Sequence, residues 1–124
     1  MAPILIVDDE PDLVSTYERL LQRRGYRIVS AGSCREGLLV VEREPLALVL
    51  TDLRLQDGDG LDIVRAARRT TPNPTPSLVV TGFASEASRA AALAAGASGY
   101  LAKPFAAAAL VSLVESTLVT RPDL

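Results

Sequence analysis

Apolar and polar positions along the chain follow two alternating periods. Compact apolar runs with β-branched residues, at residues 4–7, 26–31, 46–50, 78–81 and 98–101, predict five strands. Runs so little interrupted by polar residues suit strands covered on both faces. Between them the spacing becomes helical. Leu13, Val14, Tyr17, Leu20 and Leu21 make a stripe behind Pro11, and Gly25 supplies a left-handed stop. Ser33 and Glu36 stand at capping-box spacing before Leu38 and Val41, and Pro45 ends this second helix near Glu44. Asp57, Gly58, Asp59 and Gly60 make a flexible turn into a third helix, with Leu61, Ile63, Val64 and Ala67 inward and Arg68 and Arg69 at its end. Ser85 caps an alanine-rich fourth helix that Gly96 stops. Leu110, Val111, Leu113, Val114 and Leu118 mark a fifth, expected to fray before Pro122.

Five strand and helix pairs in strict alternation specify an α/β fold, a doubly wound parallel sheet with helices on both faces. The flavodoxin-like order 2-1-3-4-5, a three-layer sandwich, sets strands 1 and 3 side by side with a crevice at their carboxyl ends. The TPNPTP segment at 71–76 is loop, too short to separate a pair of domains, so residues 1–124 read as a single domain.

Composition narrows the chemistry. At 48% hydrophobic residues the chain lies well above the disordered range, and no apolar run approaches the length of a membrane span. The apolar start runs straight into Asp8, Asp9 and Glu10 with no basic region before it, unlike a signal peptide. Cys34, the sole cysteine, forms no internal disulfide and suits a reducing, cytoplasmic setting. It lies in the first turn of a helix, where a depressed thiol pKa is possible in principle, but no partner for it is implied and the reading is structural. A net charge of -2 with no basic stripe argues against direct nucleic-acid binding. The absence of histidine excludes His-based metal sites, His-dependent triads and a phosphohistidine relay residue. Residues 1–70 hold ten Arg and twelve Asp or Glu, whereas 71–124 hold only Arg89, Lys103 and Arg121 against Glu86, Glu115 and Asp123.

The run at 46–50 ends abruptly in Thr51 and Asp52. Open α/β sheets bind ligands at the carboxyl ends of their strands, so a carboxylate there is a candidate for chemistry, although alone it could simply start a turn. In the order 2-1-3-4-5, Asp8 and Asp9 leave strand 1 beside it. Three carboxylates in one crevice call for a cation, and oxygen ligands suit Mg²⁺, which keeps several waters and completes its shell with phosphate oxygens. Thr81 ends strand 4 and Lys103 follows strand 5, adding a hydroxyl and an ammonium to the same rim. A phosphoryl group is the natural object for this set: Mg²⁺ and Lys103 offset its charge, Thr81 donates a hydrogen bond, and Asp52 is the nucleophile.

The fragments ILIVDDE, LVLTDLRLQDGDG, LVVTGF and GASGYLAKPF, in this order and at strand ends, resemble the receiver (CheY-like) domain of bacterial two-component response regulators over essentially the whole chain. The resemblance implies that Asp52 is phosphorylated by a sensor histidine kinase or phosphotransfer protein, or by a small phosphodonor. It implies that Asp9 ligates Mg²⁺ directly, that Asp8 acts through water, and that Arg54 supplies its backbone carbonyl. Thr81 then matches the switch hydroxyl, Gly82 the small residue beside it, Tyr100 the switch aromatic, and Lys103 the lysine before a usually cis proline, here Pro104. DLRL resembles the subgroup that drives sigma-54-dependent activators. Gln56 stands where the family commonly has proline, and a bulky Phe83 could hinder the water that removes the phosphoryl group.

The function implied by this resemblance is a slow switch with magnesium-dependent phosphoacceptor and acyl-phosphate hydrolysis chemistry. Its readout is a change in the face of helix 4, strand 5 and helix 5, through which a homodimer could form. The chain reads either as a stand-alone regulator or as the receiver of a longer protein with a C-terminal output domain. The alternative is a receiver fold used only for docking, without phosphorylation; such a chain would usually lack Asp52, the acidic pair or Lys103. An aspartyl phosphohydrolase would want a second Asp where Arg54 stands, and no glycine-rich dinucleotide or phosphate-cradling loop is present.

Overall fold

The computed structural model describes residues 2–119. Along the chain run β1 (Ile4–Val7), α1 (Pro11–Gln22), β2 (Ile28–Ala31), α2 (Cys34–Arg43), β3 (Leu48–Thr51), β4 (Arg54–Leu55), β5 (Gly58–Asp59), α3 (Gly60–Arg68), β6 (Ser77–Thr81), α4 (Glu86–Ala95), β7 (Gly99–Ala102) and α5 (Ala107–Val119). Five strands pair in parallel in the order β2-β1-β3-β6-β7, the expected 2-1-3-4-5 once the two-residue β4 and β5 are set aside.

Strand alternation divides the core between two layers. Ile4, Ile6, Leu48, Leu50, Leu78 and Val80 point to one face, where they meet Tyr17 and Leu21 of α1 and Leu110, Val114 and Leu118 of α5. Leu5, Val7 and Val49 point to the other, against Cys34 and Val41 of α2 and Ile63 and Ala67 of α3. Val79 extends this second layer to Val64 of α3 and to Ala92 and Ala95 of α4. The small residues of α4 let it lie close to the sheet where bulkier ones would hold it off.

Helix ends follow the local chemistry read from the sequence, with differences of detail. The Ser33 hydroxyl accepts the Glu36 N–H at 3.1 Å, but the Glu36 carboxylate takes the Gly32 N–H at 2.8 Å, so the box is shifted by one residue. In α4 the box is reciprocal between Ser85 and Ser88. Gly96 closes that helix at φ 112°, a left-handed conformation that costs glycine little. Strand 2 begins at Ile28, not at 26, because the Tyr26 N–H bonds back to the Leu21 carbonyl and belongs to the exit of α1. Strands 3 and 5 are Leu48–Thr51 and Gly99–Ala102, each displaced toward the carboxyl end of the expected run. The turn expected at 57–60 is part of a small antiparallel hairpin, β4 against β5. Expected fraying before Pro122 lies outside the described residues.

Candidate functional site

Register alone brings the acidic residues together. Val7 pairs with Thr51, and each is the last residue of its strand, so Asp8 and Asp52 leave the sheet side by side. The Asp52 N–H still bonds to the Val7 carbonyl at 3.0 Å, and the Asp8 N–H to Ala31 at 3.2 Å, which keeps both backbones in sheet geometry as their side chains emerge. Thr81 pairs with Ala102, and the Lys103 N–H bonds to the Thr81 carbonyl at 2.8 Å. Lys103 therefore starts from the same end of the sheet. The Lys103–Pro104 bond is cis.

Lys103 Nζ lies 3.1 Å from Asp8 Oδ2 and 3.1 Å from Asp52 Oδ2. Both carboxylates are buried, at 3% and 6% exposure, so this ammonium joins charges that water reaches poorly. The second oxygens also have donors: Asp8 Oδ1 accepts the Glu10 N–H at 2.9 Å, and Asp52 Oδ1 accepts the Arg54 N–H at 3.3 Å. Burial pushes the Asp8 carboxyl above the usual carboxylate range, and the Glu10 amide and Lys103 only partly offset it. For Lys103, burial acts to lower the ammonium's pKa, but hydrogen bonds and charge from Asp52 and Asp8 outweigh it and hold it above the ordinary lysine value.

Asp8, Glu10 and Asp52 each offer a carboxylate oxygen within 4.8 Å of the others. All-oxygen donors around a partly open crevice fit a hard divalent cation such as Mg²⁺, which would relieve the repulsion among them. Asp9 is placed otherwise. Its Oδ2 accepts the Gln56 N–H at 2.9 Å, and it is not one of the three grouped carboxylates. Glu10, an acidic loop residue to which the sequence assigns no role, takes the third place instead; its inclusion depends on how the chain turns after Asp8, which residue spacing does not show.

Thr81 is fully buried, and its Oγ1 accepts the Phe83 N–H at 3.0 Å. Tyr100 is half-buried, with its hydroxyl hydrogen-bonded to Ser88 Oγ in the first turn of α4. The Arg54 guanidinium lies 4.2 Å from the centre of the Phe83 ring, a cation–π contact between the residue two beyond Asp52 and the residue two beyond Thr81. Cys34 is buried, and burial together with the charge of Asp57, Asp62 and Asp59 raises its thiol pKa, in keeping with a structural role. A groove of about 650 Å³ between the ends of α2 and α3 and the Thr71–Pro72 turn is lined by none of the grouped acids.

Fold and site together define an acidic crevice at the carboxyl ends of two inner strands, served by one lysine. Residues 4–115 match the response regulator receiver domain family, and the chain belongs to that family, whose members are domains of two-component systems. It is 40% identical over 117 residues to the response regulator protein PilR of Pseudomonas aeruginosa, a match covering 94% of this chain and 26% of PilR. The chain thus spans about a quarter of that relative's length. A CheY-like receiver domain protein from Methanospirillum hungatei superposes with a TM-score of 0.89 at 31% identity, covering 96% of this chain and 94% of that one. A response regulator protein from Burkholderia pseudomallei, whose structure contains a phosphorylated aspartic acid, a calcium ion and citrate, does so with a TM-score of 0.82 at 28% identity, covering 98% and 76%. No described helix is long and apolar enough to cross a membrane.

Proposed function

We propose that the chain is a phosphorylation-dependent switch, a receiver domain over 1–124, in which Asp52 is the phosphoacceptor. The observation that carries this reading is the bridge from Lys103 to both Asp8 and Asp52, a cation held against two buried carboxylates at the carboxyl ends of adjacent strands. The phosphorylated aspartic acid of the Burkholderia relative supports the same chemistry.

An Asp52 carboxylate oxygen attacks the phosphorus of a phosphohistidine on a sensor kinase or phosphotransfer protein, or of a small phosphodonor. The new P–O bond forms as the donor's bond to phosphorus breaks, and its electron pair leaves with the donor. Mg²⁺ held by Asp8, Asp52 and the Arg54 backbone carbonyl, with Asp9 or Glu10, would offset charge on the phosphoryl oxygens. Lys103 adds a positive charge from the exit of the edge strand β7, and the buried site excludes most water. Thr81 donates its hydroxyl to a phosphoryl oxygen, giving up its bond with the Phe83 N–H. Tyr100 turns inward from Ser88, and the face of α4, β7 and α5 changes shape. That face is weakly charged and exposes Leu93, which suits a second copy, an output domain or a partner in the cytoplasm.

Hydrolysis of the acyl phosphate needs water beside Asp52. Phe83 is 56% exposed with the Arg54 guanidinium against its ring, and these residues follow Thr81 and Asp52 by two positions each, which supports reading the pair as a screen against that water. Phe83→Ala is expected to shorten the phosphoryl lifetime several-fold in the isolated protein, read by following decay of labelled protein.

The direct test is intact mass after incubation with acetyl phosphate or phosphoramidate, with and without Mg²⁺, on the wild type and on Asp52→Asn. A single phosphoryl adduct that requires Mg²⁺ and disappears in the variant is expected. Folded wild type without an adduct from either donor would instead favour the docking module.

A further inference from the structure

The Gln56 N–H and Asp9 Oδ2, 47 residues apart in sequence, are joined by a 2.9 Å hydrogen bond that ties the β4–β5 turn to the acidic loop after β1. We propose that this bond is a latch: the Gln56 backbone N–H holds Asp9 out of the acidic group, which makes Gln56 a positioning residue that weakens Mg²⁺ binding until Asp9 is released. The inference rests on the reading that the group binds Mg²⁺.

Three observations carry it. Asp9 directly follows Asp8, yet the oxygens that converge are those of Asp8, Glu10 and Asp52. A backbone N–H on a carboxylate oxygen is a charge-assisted bond, and this one, unlike the local amide bonds of Asp8 and Asp52, anchors its carboxylate to a turn outside the group, so Asp9 must break it to join them around a cation. Gln56 is exposed, so water can satisfy its N–H when Asp9 leaves, and the latch can open without stranding a buried donor.

The hairpin supplies a clean way to remove one atom group. Leu55 pairs with Gly58, leaving Gln56 and Asp57 as a two-residue loop with Gln56 at its first central position. No non-glycine residue among those described has positive φ, Leu55 is extended, and the first central position of such a turn is one that proline favours, so proline suits position 56. Gln56→Pro deletes the N–H; Gln56→Ala deletes the side chain and keeps it.

Mg²⁺ titrations followed by calorimetry and by the amide spectrum of ¹⁵N-labelled protein test the latch without any phosphodonor. Gln56→Pro is expected to bind Mg²⁺ about three- to tenfold more tightly than the wild type, a span within what one charge-assisted hydrogen bond can shift. Gln56→Ala is expected to bind like the wild type. In the wild type, saturating Mg²⁺ should move the Gln56 amide resonance and speed its exchange with solvent. Equal or weaker binding by folded Gln56→Pro overturns the latch, as does a wild-type Gln56 amide unchanged at saturation, a readout that does not depend on the variant folding. Failure of every form to bind Mg²⁺ overturns the metal-site reading, and the latch with it.

Discussion

Gly60 is where the backbone after Asp52 leaves no room for a side chain. A Cβ there would overlap the Asp52 carbonyl oxygen, and the Gly60 N–H bonds to the Leu53 carbonyl at 2.8 Å, so the start of α3 is pressed against the residue that carries the proposed chemistry. Gly60→Ala is expected to cost about 1–3 kcal/mol, the usual range for overpacking, and to lower Tm in a thermal melt. The displaced Asp52 backbone should also slow phosphoryl uptake in the folded fraction. Gly82 provides the contrast, since an added Cβ meets nothing within 4 Å and its φ is ordinary. Gly82→Ala should leave Tm nearly unchanged.

Among the elements, the β4–β5 hairpin does more than its two-residue strands suggest. The Asp57 carboxylate accepts the N–H groups of Cys34 at 2.8 Å and Arg35 at 3.0 Å, so the hairpin caps the first turn of α2 from another region of the chain. These two amide bonds hold the Asp57 carboxyl below the usual carboxylate range. Because its folded pKa is depressed, the contribution to stability is present above the unfolded value of about 3.9 and is lost as pH falls through the folded one. Asp57→Asn should therefore melt below the wild type at neutral pH, with the gap closing on acidification; a gap independent of pH would contradict the assignment.

The same hairpin marks the limit of what local sequence can show. Ser33, Ser85 and Gly96 announce helix ends through bonds only a few residues long, and all three act where expected. Two-residue strands have no period to detect, and a cap supplied from Asp57 to Cys34 is a tertiary contact. Alternation of strands and helices carried the sheet order, and with it the meeting of Asp8, Asp52 and Lys103 at one end. The distribution of the remaining acids was not legible, because it depends on which backbone N–H groups face Asp9 and on the path that carries Glu10 back toward Asp52.

At the scale of the whole molecule, the sheet holds its helices by burial on both faces, and the α1 and α5 side depends on a few large side chains. Leu110 is fully buried in that layer beside Leu78 and Val80. Leu110→Ala is expected to cost about 2–5 kcal/mol in denaturant unfolding through the cavity it leaves. The order β2-β1-β3-β6-β7 also sets unequal constraints on the site. Asp8 and Asp52 follow strands hydrogen-bonded on both sides, whereas Lys103 and Tyr100 belong to β7 and its exit, and β7 is tied to β6 alone. The carboxylates are thus mounted on the doubly paired interior of the sheet, and the lysine and the aromatic on one of its two singly paired margins. A shift of Lys103 or Tyr100 therefore strains one strand interface, where a shift of either carboxylate strains two.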